Sequence, residues 1–158
     1  MEYKDIRLSI LQQIDNIDDL TKLCYTNKAY EHSCSQKIFW VDWYKRHHIQ
    51  FPNNMHDNAQ DWIDEYKHIV KIMDKTRNLL ESLENNKNAR LGFVYKKNHP
   101  SIEKFASMDN VYVTITYDGQ YRLFGRSSTF IEMTFDYKEM FNFLYRVLDA
   151  NITVRKYN

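Results

Sequence analysis

Six histidines, two cysteines and a spread of carboxylates are the side chains of this protein that could do chemistry. Their spacing argues against it at each place. His47 and His48, with His56 nearby, invite a metal reading. Adjacent histidines on a helix point about 100° apart and cannot both face one ion. No cysteine or carboxylate stands at zinc-finger spacing from them. Asp61, Asp64 and Glu65 read as one solvated helical face, since no apolar run beside them makes a pocket that would raise a carboxyl pKa. Gly92, Gly119 and Gly125 are isolated, which excludes a glycine-rich phosphate loop, and Ser127-Ser128 reads as turn chemistry. The expectation is a protein without catalytic residues, metal or cofactor.

Basic clusters point to a second kind of chemistry. Lys45-Arg46-His47-His48, Lys96-Lys97-Asn98-His99 and Arg155-Lys156-Tyr157 lie close to tyrosines. Arginine and aromatic side chains on a small sheet can hold single strands. Tyr112, Thr114 and Thr116 would give such a platform if they shared the open face of a sheet, with Tyr121 opposite. Against this stands a formal net charge of +1, because phosphate neutralisation supplies most non-specific affinity. Nucleic-acid binding, or a role in a virion or other assembly, is therefore the alternative expectation.

The elements that must position these residues fall into two regimes. Ile6, Ile10, Leu11 and Ile14 mark one face of an opening helix. Asn16 breaks the pattern, and Asp18-Asp19 start a second helix through Leu20, Leu23 and Cys24. Lys28 to Ser35 reads as a third helix. Ile38, Phe39, Val41, Trp43 and Tyr44 read as a fourth with apolar side chains almost all round. Pro52 and two asparagines break the chain. The longest helix then runs from Asp57 to about Asn85, with Trp62, Tyr66, Ile69, Val70, Met73, Leu79, Leu80 and Leu83 near three-and-four spacing.

Beyond Asn88 the period changes to two. Leu91, Phe93 and Tyr95 alternate, and Tyr112 to Tyr117 is β-branched and aromatic. Asp118-Gly119 reads as a two-residue hairpin turn, followed by strands at Gln120–Phe124 and Phe130–Phe135. Asp136 starts a helix with Met140, Phe141, Leu144, Tyr145 and Leu148 on one face. Ile152 to Val154 reads as an edge strand with a fraying end. The expected class is α+β: a helical module over 1–50, a linker and long helix over 51–88, and a small antiparallel sheet covered by one helix over 89–158.

With 43% hydrophobic and 15% aromatic residues the chain can bury a core without metal or disulfide support. No apolar run approaches the roughly 20 residues that span a bilayer. The start lacks the order of a secretion signal. An intracellular, cytoplasmic protein is expected, without membrane contact. In that setting Cys24 and Cys34 are read as buried free thiols rather than a disulfide.

The first segment resembles an F-box. The family's order of elements is met by Ile6, Ile10-Leu11, Ile14, Asp19-Leu20, Leu23-Cys24 and Phe39-Trp40, with Lys4-Asp5-Ile6 where a Leu-Pro usually opens the motif. The wording around these elements is most similar to F-box-like proteins of large DNA viruses of protists. The resemblance implies docking to a Skp-type adaptor of a cullin-RING ubiquitin ligase through Ile6, Ile10, Leu11, Leu20 and Trp40. The C-terminal module would then choose a target. The hairpin tip, Asp118-Gly119-Gln120, and the loop with Arg126, Ser127 and Ser128 are the candidate target contacts, since a rigid sheet presents its loops well.

Overall fold

Two asparagines punctuate the start of the chain. The Asn16 side chain accepts hydrogen bonds from the backbone N–H of Asp18 (2.8 Å) and Asp19 (3.3 Å). It thereby caps α2 (Ile17–Thr26) and separates it from α1 (Tyr3–Leu11). Asn27 is the C-cap of α2 and, through its bond from Ala29 N–H, the N-cap of α3 (Lys28–Cys34). One extended residue thus turns the chain between two helices. α4 (Lys37–Arg46) follows, then α5 (Ala59–Glu84), the longest helix. This computed structural model describes residues 3–94, 108, 110–126 and 130–158, which form two compact units, Met1–Ile69 and Val70–Asn158. Residues of α5 belong to both.

The first unit is built on aromatic rings. Phe39, Trp40, Trp43 and Tyr44 are buried on α4, and Trp62 and Tyr66 on the first half of α5. Trp40 stacks on Trp62 with centroids 6.0 Å apart and planes 14° apart, while its indole N–H donates to the Cys34 carbonyl at 2.7 Å. Tyr66 meets Trp43 and Tyr44 edge-on at 5.7 and 5.4 Å. Such pairs add about 0.5–1.5 kcal/mol each beyond burial.

Two expectations are corrected in this unit. α4 is not buried all round, because Ile38 is 70% and Val41 41% exposed; its buried stripe is the 39-40-43-44 set alone. Cys24 and Cys34 are not free thiols but a disulfide, with Cα atoms 6.1 Å apart, well within bridging range. α2 and α3 pack on each other, and the single-residue turn at Asn27 brings the two cysteines face to face.

The second unit is a five-stranded antiparallel sheet of order β4-β3-β2-β1-β5, with β1 Arg90–Val94, β2 Asn110–Ile115, β3 Tyr121–Arg126, β4 Phe130–Phe135 and β5 Thr153–Tyr157. The first four strands form a meander. α6 (Tyr137–Asp149) then carries the chain from the β4 edge to the β5 edge. The register places Leu91, Phe93, Val111, Val113, Tyr121 and Leu123 on one face, where they join Met140, Leu144 and Val147 of α6 and Leu80 and Leu83 of α5. The opposite face carries Arg90, Tyr112, Thr114, Arg122, Phe124, Phe130, Glu132, Arg155 and Tyr157.

The hairpin between β2 and β3 differs from the expected two-residue turn. Thr116 N–H donates to Gln120 C=O at 2.8 Å and Gly119 N–H to Thr116 C=O at 3.0 Å, so Tyr117, Asp118 and Gly119 form a three-residue loop. Gly119 takes the left-handed conformation (φ 84°) that closes such a loop. The chain end differs too: β5 pairs with β1 as far as Tyr157, and Ile152 instead caps α6 by donating its N–H to the Val147 carbonyl at 3.1 Å. The expected strand at Tyr95 lies outside the described residues.

A reciprocal cap starts α6: Asp136 accepts from Glu139 N–H at 2.8 Å and Glu139 accepts from Asp136 N–H at 2.9 Å. Asp136→Ala should lower the unfolding free energy by about 1 kcal/mol, measured by urea titration of the full chain.

Candidate functional site

The docking residues implied by the F-box resemblance divide into two groups. Leu8, partly buried, and Leu11, fully buried, form the inward stripe of α1. Ile6 and Ile10, one turn apart, stand beside that stripe at 45% and 41% exposure. The four-residue pattern that the sequence presents as one face is therefore split between core and solvent. Leu20 and Trp40 are fully buried and serve the unit's own core. Ile38 and Val41 on α4 are further exposed apolar side chains that sequence reasoning placed in the interior.

The histidine pair turns out to have packing and backbone roles. His47 lies 4.6 Å from the Trp43 ring and 5.8 Å from Tyr66. His48 takes a left-handed conformation (φ 56°), which lets Ile49 N–H reach the Tyr44 carbonyl at 2.9 Å and end α4. His56 pairs with Glu65 at 2.7 Å. Among the described residues, no three His, Cys, Asp or Glu side chains converge on a point where a metal ion could sit. Nor is any described helix long and apolar enough to cross a membrane.

At the hairpin tip Asp118, Gly119 and Gln120 are exposed together, beside Tyr117 at 98% exposure. The Thr116 hydroxyl bonds the Asp118 carboxylate and holds its pKa below the ordinary value. It also bonds the Gln120 carbonyl at 3.0 Å. Arg126 ends β3 opposite Asn110 and Phe130. Ser127, Ser128 and the Lys96–His99 cluster lie outside the described residues. Tyr112 and Thr114 share the open face of the sheet, Thr116 is engaged in the turn, and Tyr121 points into the core, where its hydroxyl donates to Glu84 at 2.6 Å.

Comparison with known proteins finds no match: no family model, curated protein or solved structure resembles this chain closely enough to be counted.

Trp40→Ala should cost about 3–5 kcal/mol, as large aromatic deletions from a core do, seen as a lower denaturation midpoint. A second outcome concerns pH. Burial first, and the neighbouring Arg46 guanidinium next, hold His47 below its ordinary pKa of 6.5. The unfolded chain therefore takes up this proton before the folded one does. Stability conferred by neutral His47 is complete above pH 6.5 and declines as the pH falls below it. Denaturant titrations across that range should show a shallower decline for His47→Gln than for the natural protein.

Proposed function

We propose that this protein is a non-catalytic interaction adaptor of F-box type. Its first unit docks a Skp-type adaptor of a cullin-RING ubiquitin ligase, and its second presents a target-binding surface. The observation that carries this reading is the pair Ile6 and Ile10, held outward on α1 while Leu11 is locked inward. A helix laid into a partner's groove uses anchors at this spacing, and apolar side chains kept in solvent on a rigid helix supply the driving area. Each isoleucine is already about half covered, so docking gains only about 1 kcal/mol from each. Further contacts must complete the interface. The hairpin tip Tyr117–Gln120 supports the target-binding half of the reading, because a short tight loop on a five-stranded sheet holds its side chains in fixed positions.

The test is a pull-down of the full-length protein from a eukaryotic lysate, read by mass spectrometry, beside the double variant Ile6→Glu, Ile10→Glu. Leu11 is left unchanged because a charge there would enter the core. A Skp-type adaptor and a cullin should be recovered with the natural protein and lost with the variant, while both melt alike by circular dichroism. Recovery of neither with the natural protein would end the ligase reading.

A further inference from the structure

The open face of the sheet carries a continuous row of aromatic rings. Phe130 of β4, Phe124 of β3, Tyr112 of β2 and Tyr157 of β5 follow one another with centroids 6.4, 5.7 and 6.2 Å apart. β1 lies between the last two and contributes no ring. Its residue at that point is Gly92, where a Cβ would stand 2.6 Å from Tyr157 Cε2 and 3.1 Å from Tyr112 Cε1. The row is continuous because a side chain is missing from its middle.

These rings are not sealed from water. Phe130 is 62% and Tyr157 39% exposed, and Tyr112 and Phe124 are partly covered. Guanidinium groups accompany them. Arg90 lies 4.8 Å from the Tyr112 ring and 5.9 Å from Tyr157, and Arg122 lies 5.6 Å from Phe124. Arg155, exposed, is placed opposite Gly92 by the register. Among the described residues of this face the acidic side chain is Glu132, 3.5 Å from Arg122. The face is therefore locally cationic although the whole chain carries only +1, and local charge is what a phosphate meets.

We infer that this face binds single-stranded nucleic acid with little sequence preference. Bases stack along the ring row, and phosphates meet Arg90, Arg122 and Arg155. A single strand alternates flat π-faces with anionic groups, which is the alternation this surface complements. A duplex keeps its bases paired and offers only phosphates. An acidic peptide offers carboxylates but no planar faces to occupy four rings. The inference does not rest on the docking role proposed for α1, which belongs to the other compact unit.

Fluorescence anisotropy of the full chain with labelled oligouridine and oligodeoxythymidine at low salt tests it. Both should bind, and both should weaken by about sevenfold to twentyfold over a fourfold rise in salt, as two or three phosphate contacts dictate. A duplex of the same length should bind more weakly. Phe130→Ala, at a solvent-facing position, should lose at least about fivefold in affinity, the low end of what removal of one stacking ring does. Arg155→Gln should reduce the salt slope without altering the melting curve. Absence of binding, or binding that Phe130→Ala and Tyr112→Ala leave unchanged in folded protein, would overturn the inference. So would equal affinity for the duplex, or for polyglutamate.

Discussion

Both hydrophobic cores draw on one helix. The first half of α5 gives Trp62 and Tyr66 to the aromatic cluster of the first unit, and its second half gives Leu80 and Leu83 to the core beneath the sheet. Without Trp62 the Trp40 ring would lose its stacking partner. Without Leu80 and Leu83 the core beneath the sheet would lose two of its fully buried side chains. Because about 25 cal/mol is gained per Å² of apolar surface removed from water, each unit depends on its share of α5 more than on any single polar bond. The polar bonds mostly set boundaries: Asn16, Asn27 and Asp136 decide where helices begin.

What was legible in the sequence follows from period and capping. The shift from helical spacing to alternation at Asn88, the start of α6 at Asp136 and the extent of β4 are all local signals, and the structure agrees with them. The hairpin was legible in place but not in kind. Asp-Gly fits both a two-residue turn and the end of a three-residue one, and Thr116, bonding across the loop, favours the latter. Other features depend on partners remote in sequence. Which of Ile6, Ile10 and Leu11 turn inward is decided by what packs on α1. The disulfide depends on how α2 and α3 pack, and the exposure of Ile38 and Val41 on which side of α4 meets α5.

The candidate surfaces share a physical character. The α1 stripe is apolar, and the open face of the sheet sets its rings beside the guanidinium groups of Arg90 and Arg122. Each is a rigid, regular element that holds apolar or aromatic side chains in water at a cost. The interior beneath Ile6 and Ile10 fixes their positions, since Leu11 cannot rotate outward without leaving a void. The alternation of the sheet fixes the ring row, since shifting any strand by one residue would send its rings to the core and its core residues to solvent.

The two borders of the sheet are unequal. β5 ends one side with Arg155, Lys156 and Tyr157, charges that discourage another strand from lying alongside. β4 ends the other as Phe130-Ile131-Glu132-Met133-Thr134-Phe135, whose one charge already faces Arg122. Among the described residues no strand pairs with its outward amides and carbonyls, which are therefore the less defended template for strand addition. Crowding during synthesis or storage should feed self-association through that border, and fibrous aggregates of this protein would grow with β4 against β4.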